Sequence, residues 1–311
     1  MAELILGIEV GGTKLQFGVG TGQSTDFVDF ERCNIDRGRG AAGIREQIAE
    51  VGGRLTQRNS IARIGYGFGG PIDRKSGKVV TSHQVGGWSD FPLQKWTEDT
   101  LQAPTVLAND CDAAALAEAT HGSGQGQRTV FYLTVGTGIG GGLVIDGQLH
   151  GSDRPAVAEI GHLRPGVVAN KPSLTVESIA SGLGIENTFN TRLKIDSIGQ
   201  GVVVQASADC RRIAGLAGEG DAAAKAVLSD ATKTLGWAIA QTITLIAPDI
   251  VIVGGGVPMM DKSLFLDPVR EAVDTYSFGP LKGQVPIVEP KLGEYVVVHG
   301  AIINASLQPQ A

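Results

Sequence analysis

The sequence predicts an α/β protein of two lobes with mixed sheets, and three observations carry that expectation. Strand-like and helix-like runs alternate along all 311 residues. A strand, a glycine turn and a returning strand occur at 4–20 and recur at 129–146, each opening a half of the chain, which points to two related lobes rather than short solenoid repeats. The chain also holds 45 glycines, well above the average of roughly 7% of residues, and most of them cluster after strand-like runs.

Leu4 to Val10 (LILGIEV) reads as a buried strand, Gly11-Gly12 forces a tight turn, and Lys14 to Gly20 (KLQFGVG) returns. A third strand is expected over about Asp26 to Cys33, a helix over 41–57 from its apolar spacing, and a strand over Ala62 to Phe68 that runs into GGPID. Helix-like residues 92–102, the short strand TVLA (Thr105 to Ala108) and an alanine-rich helix over Asp112 to His121 follow. The segment GSGQGQ at 122–127 has linker composition. It suggests one lobe over 1–122, completed by a C-terminal helix at 299–311, and a second over 123–298, with ligand expected between them. In the second lobe RTVFYLTV is a strand, GTGIGGG a turn and Leu143 to Asp146 part of a returning strand. Helices are expected at about 176–194, 204–217, 221–246 and 262–276, a strand over Ile250 to Val253, an apolar run at Val296 to Val298, and a last helix over about 300–307.

Composition removes several function classes. Hydrophobic residues make up 42% and charged residues 19%, with 26 Lys and Arg against 32 Asp and Glu, a formal net charge of −6. That length and hydrophobic content bury a sizeable core, so disorder is excluded. The acidic balance, with no local Lys/Arg cluster, argues against nucleic acid and anionic lipid as partners. Cys33, Cys111 and Cys210 are odd in number, far apart and without a CxxC pair, so reduced thiols in the cytoplasm are expected rather than a disulfide framework. The N-terminus lacks the basic start and long apolar run of a signal peptide, and no run of about twenty apolar residues marks a membrane span.

Literal matching finds GxGxxG at GTGIGG (136–141) and GYGFGG (65–70). The dinucleotide fingerprint needs a helix starting at its last glycine, whereas GGLVIDG continues as strand and GGPID holds a proline turn. No GxxxxGK[ST] is present, which excludes a P-loop. What remains is two glycine hairpins whose backbone N–H groups, with the Thr13 and Thr137 hydroxyls and the Lys14 ammonium, could face a phosphate chain. Each could equally be only a hairpin. The third cluster, Gly254-Gly255-Gly256, follows an apolar strand, where open α/β sheets bind ligands. Three such turns together imply a nucleotide.

Asn109-Asp110 ends the strand TVLA just before a helix. The pair could be a helix N-cap, or Asp110 could be a base that accepts a proton from an attacking hydroxyl. EIGH (159–162) and Glu177 in VESIASG add two carboxylates and an imidazole near a turn and a helix start. That spacing is weak as a metal signature, and such acceptors suit the many hydroxyls of a sugar.

In order, GIEVGGTK, GFGGPID, GGWSDFPL, LANDCDAAALAE, TVGTGIGGG, EIGH, VESIASG and IVIVGGG resemble the ROK family of bacterial sugar kinases and repressors over nearly the whole chain. The resemblance implies two RNase H-like lobes of the actin and hexokinase type with a cleft between them. It implies phosphate-binding hairpins at Gly11, Gly12, Thr13 and Lys14 and at Thr137 and Gly138, with Gly254, Gly255 and Gly256 beside adenosine. Asp110 matches the general base. Asn109, Glu159, His162 and Glu177 match sugar contacts, with the loop of Gly70 closing over the sugar. The implied reaction is transfer of the ATP γ-phosphoryl to a hexose hydroxyl with Mg²⁺ bridging the phosphates, by a cytoplasmic homodimer that pairs through the second lobe.

Three positions depart from the family pattern. Glu9 stands where an Asp usually faces the hydrated Mg²⁺. RPGVVANKPSLTV lacks the cysteines of the family's zinc loop, so His162 has no metal partners and no structural zinc is expected. His83-Gln84 replaces the usual sugar-contacting Asn, which places Gln84 at the sugar and leaves its identity open between glucose, an acylamino sugar and another hexose. A sugar-binding protein disabled at Glu9 is the non-catalytic alternative. A sugar-responsive repressor is less favoured, because the first strand opens at about Leu4 with no DNA-binding segment expected before it.

Overall fold

A computed structural model describes residues 3–82, 85–166, 171–199 and 207–308, with side chains to 194 in the third stretch. The chain runs through β1 (Leu4–Val10), β2 (Lys14–Gly20), β3 (Asp29–Asn34), α1 (Gly40–Arg58), β4 (Ile61–Phe68), β5 (Ile72–Asp73), β6 (Lys78–Val79), α2 (Leu93–Leu101), β7 (Thr105–Asn109) and α3 (Asp110–His121). It continues through β8 (Thr129–Val135), β9 (Ile139–Ile145), β10 (Gln148–Leu149), α4 (Val176–Ala180), α5 (Gly182–Gly199), α6 (Cys210–Gly218), α7 (Ala222–Ile246), β11 (Ile250–Gly254), α8 (Leu266–Tyr276), β12 (Ile287–Val288) and α9 (Val296–Ser306).

The first sheet has the order β3-β2-β1-β4-β7. β1 to β3 are an antiparallel meander, while β1, β4 and β7 run parallel, so the sheet is mixed as expected. Register matters for the site: Val10 pairs with Phe68, and Phe68 with Asn109. The carboxyl ends of three parallel strands therefore finish level with one another. The second sheet, β10-β9-β8-β11-β12, repeats the plan, with a glycine hairpin between β8 and β9 and the parallel pair β11 and β12.

Burial explains these elements. β1 and β2 are buried on both faces and are mainly apolar, with Glu9 and Gln16 as buried polar exceptions. α1 buries Ile44, Ile48, Val51 and Leu55 at helical spacing, and each such side chain contributes about 1.5–3 kcal/mol. α9 packs against β1 with Ile5, Val298, Ile302 and Ala305 in one cluster. The Val296 to Val298 run lies inside this helix: burial of Val296 and Val298 overrides the weak helix propensity of β-branched residues. The helix expected at 176–194 is broken at Ser181, whose backbone is extended and whose Oγ accepts the Gly184 N–H at 3.0 Å to start α5.

The backbone divides into two compact units, one of Met1–Tyr132, Gly142–Val157 and Pro290–Ala311, the other of Leu133–Gly141 and Ala158–Glu289. Residues 123–132 fall in the first unit, where the buried Glu118 carboxylate accepts the Ser123 N–H at 2.8 Å. Among the described residues, no helix is long and apolar enough to cross a membrane.

Candidate active site

In the first unit, the level strand ends bring Glu9, the Gly69-Gly70 turn and Asn109-Asp110 to one edge of the sheet. Glu9 is 9% exposed, and its Oε2 is buried without a hydrogen-bond partner. Burial raises its carboxyl to about 7, an effect that Lys14 opposes and the Asp110 charge reinforces. Lys14 Nζ lies 3.9 Å from Glu9 and 3.8 Å from Glu294, and donates to Gln16 Oε1 at 2.9 Å. The Gly11 N–H closes the turn on the Lys14 carbonyl at 3.2 Å, Arg37 Nε donates to the Gly12 carbonyl at 2.7 Å, and Thr13 is exposed. Part of the expected phosphate cradle is therefore occupied by the protein's own groups.

Asn109 is the N-cap of α3, with Oδ1 accepting the Cys111 N–H at 2.8 Å. Its Nδ2 donates to the Gly70 carbonyl at 3.0 Å. Only this amide orientation satisfies both bonds. Asp110 opens the helix, two residues earlier than expected, and its Oδ1 also accepts the Cys111 N–H, at 2.9 Å. Its carboxyl is pushed up by burial, while hydrogen bonds from Cys111 and Asn109 pull it back. A carboxylate raised in this way is a stronger base than a solvated one. Of the two readings of Asn109-Asp110, the N-cap is the one seen, carried by Asn109, while Asp110 shares the Cys111 N–H.

In the second unit, the Gly136 N–H closes its turn on the Gly138 carbonyl at 2.9 Å, and Thr137 is exposed at the tip. Glu177, in the first turn of α4, accepts the Ile139 N–H at 2.8 Å, so one of its oxygens is committed to holding the hairpin. Glu159 and His162 are exposed at the ends of the EIGH turn, and a side chain at Gly161 would collide with the Ile139 carbonyl. The turn therefore lies directly against the same hairpin. Gly255 adopts φ +99, and a Cβ there would stand 2.6 Å from the Val135 nitrogen, a position that only glycine fits. Gly136, Thr137 and Gly256 border a cavity of about 900 Å³, a size suited to a nucleotide.

The structure thus gathers Glu9, Lys14, Gly70, Asn109 and Asp110 in one unit and Thr137, Gly138, Glu159, His162, Glu177 and Gly254 to Gly256 in the other. Gln84 lies outside the described residues. Sequence reasoning missed Gln16, which pairs with Glu9 across the β1–β2 ladder and whose polarity inside a buried strand was the available signal. It also missed Glu294, which reaches Lys14 from far along the chain and carries no local signal.

The residues fit a divalent cation held mainly by a ligand's phosphates. Glu9 presents a buried oxygen with no hydrogen bond, and no group of three or more His, Cys, Asp or Glu among the described residues could hold a metal alone.

The model of the ROK family matches residues 5–307. The chain is 28% identical over 291 residues to the glucokinase of Halalkalibacterium halodurans, covering 88% of this chain and 86% of that protein. Among solved structures it is similar to the ROK hexokinase of Thermus thermophilus, with TM-score 0.82, 27% identity and 98% of each chain covered. It is also similar to a ROK family glucokinase of Streptomyces griseus in complex with glucose and AMPPNP, with TM-score 0.80, 26% identity, and 98% and 100% of the two chains covered. These neighbours share the actin and hexokinase-like fold.

Proposed function

This chain belongs to the ROK family, and from that premise we propose that it is an ATP-dependent hexose kinase with glucose as its first candidate substrate. The observation that carries the reading is Asp110, a carboxylate raised by burial at the carboxyl end of a parallel strand, beside a capping Asn109 tied to the Gly70 turn. Relatives named glucokinase and a neighbour that holds glucose with an ATP analogue support the substrate class.

In this reading Asp110 accepts the proton of the sugar hydroxyl as its oxygen attacks the γ-phosphorus. The bond from that phosphorus to the bridging oxygen breaks, and ADP leaves. Phosphoryl transfer needs positioning and charge stabilisation more than a strong base. Gly70, Gln84, Asn109, Glu159, His162 and Glu177 position the sugar. Gly11, Gly12, Thr13, Thr137 and Gly138 face the phosphates, and Gly254 to Gly256 with the adjoining cavity take the adenosine. A bound Mg²⁺ would supply charge neutralisation at the phosphates, and Glu9 is the residue that would hold it. Lys14 balances the Glu9 charge.

The test is ADP release with Mg-ATP across hexoses, amino sugars and acylated amino sugars, with Asp110→Asn as the control. The variant keeps an oxygen for the Cys111 N–H, so it should fold and bind sugar as before while kcat falls by about 10²–10⁴-fold. Turnover unchanged in the variant would refute the role of Asp110. No turnover on any sugar would favour a binding protein.

A further inference from the structure

A groove of about 460 Å³ opens between α7 and α8, within the second unit and outside the cavity assigned to adenosine. Its shape follows from a close crossing. A Cβ on Gly236 would stand 2.8 Å from the Val269 carbonyl oxygen, so α7 and α8 meet almost backbone to backbone there. Toward the N-terminus of α7 the two helices part, and the groove lies in that wedge, with Leu228 and Ala272 buried at its floor. Its volume falls in the range of small-molecule sites.

Charge selects the occupant. Lys225 and Lys233 line the groove from α7, ~12 Å apart along the helix. Lys75, Lys95 and Lys262 are paired with Asp153, Asp99 and Glu289, whereas no ion pair engages Lys225 or Lys233 among the described residues. Neighbouring hydroxyls are already engaged: Thr275 donates to the Glu271 carbonyl at 2.8 Å and Ser263 to Asp261 at 2.6 Å. The two ammonium groups are therefore the strongest donors left to a ligand, against one carboxylate in the lining, Glu271. An apolar floor beneath cationic donors suits an organic anion with an apolar body. Leu264 gives the groove a consequence, because it also lines the cavity beside Gly136 and Thr137.

Resting for its nucleotide arm on the ATP reading above, we propose that the α7–α8 groove is an effector site for an amphipathic organic anion, whose occupancy alters nucleotide affinity through Leu264. The test titrates anilinonaphthalene sulfonate and the uncharged N-phenylnaphthylamine, followed by dye fluorescence, into the wild type and two variants. Lys225→Gln/Lys233→Gln removes the charges, and Ser229→Trp fills the groove from its rim; melting temperatures confirm folding. The double variant should lose about tenfold in sulfonate affinity, the size of a hydrogen bond to a charged group, and keep its affinity for the neutral dye. Ser229→Trp should weaken both dyes. A saturating non-hydrolysable ATP analogue should shift the sulfonate Kd by about fivefold or more and then reach a plateau, because both sites fill together. Undiminished binding in the folded variants, equal losses of the two dyes in the double variant, or no shift with nucleotide would overturn the proposal. Displacement that grows without limit as nucleotide is added would overturn it too, since the dye would then occupy the nucleotide cavity. A wild type that binds no dye, with Ser229→Trp splitting a dimer in light scattering, would mean that a second copy covers the groove instead. If the ATP analogue itself fails to bind by calorimetry, the ATP reading falls and the nucleotide coupling with it, while the two dyes still decide the groove.

Discussion

The Asn109 side chain joins the Gly70 turn to helix α3, with Nδ2 donating to the Gly70 carbonyl at 3.0 Å and Oδ1 accepting the Cys111 N–H at 2.8 Å. The two halves of one amide do separable work, and two substitutions part them. Asn109→Asp keeps the cap and places a second acceptor against the Gly70 carbonyl. It should hold thermal stability within about 1 kcal/mol while raising the sugar KM. Asn109→Ala loses the cap as well, at a further cost of about 1 kcal/mol. Melting curves and sugar KM for both variants check this; equal KM effects with equal stability loss would show that the two bonds do not act separately.

Glu9 predicts a pH dependence. Its carboxyl stands at about 7 in the folded protein against 4.5 in the unfolded chain, so between those values the unfolded state releases its proton first. Stability from this group is present below 4.5 and is lost as pH rises through about 7. The full cost above pH 7 is about 3 kcal/mol. Glu9→Gln should therefore be more stable than the wild type at pH 8, with the gain vanishing near pH 4.5. Denaturant midpoints at the two pH values measure it, and a gain independent of pH would contradict the burial argument.

Much of this site could be read locally, because a glycine hairpin between apolar strands and an Asn-Asp pair at a strand-to-helix junction are short-range patterns. The β1–β2 and β8–β9 hairpins and the junction at Asn109 lie where the sequence puts them. What could not be read depends on distant partners. Val296 to Val298 is helical only because β1 and its neighbours bury it, and a β-branched run alone favours strand. Ser181 splits one expected helix into two through its own backbone and Oγ.

His299 gives the opposite pH signature. It is buried at 6% exposure and stacks on Phe27 with ring centroids 4.5 Å apart and planes 3° apart. Burial, with His121 adding to it, lowers its value to about 4 from 6.5. The folded protein thus holds the neutral ring while the unfolded chain protonates. Stability is fully present above 6.5 and is lost as pH falls toward 4, by about 2 kcal/mol once partial solvent screening is allowed for. His299→Phe retains the stack and removes the titration. Its denaturation midpoint should fall less than the wild type's between pH 7 and pH 4, and parallel losses would exclude His299 as the acid-sensitive group.

Glu118 carries the largest expected loss. Its side chain is fully buried, and its carboxylate accepts the Ser123 N–H at 2.8 Å, the Lys291 N–H at 2.9 Å and the Leu292 N–H at 2.8 Å. One side chain therefore satisfies backbone donors on the segment after α3 and on the stretch leading to α9. Truncation to Ala strands these N–H groups, each costing about 1–3 kcal/mol when left without an acceptor, and opens a cavity as well. Glu118→Ala should lose about 3 kcal/mol or more. Glu118→Gln keeps one oxygen but turns an NH₂ toward donors, so its loss should fall between the wild type and Ala. Urea unfolding ranks the three. A Gln variant as unstable as Ala would mean that the charge dominates, whereas an Ala variant of wild-type stability would mean that water replaces the carboxylate at no cost.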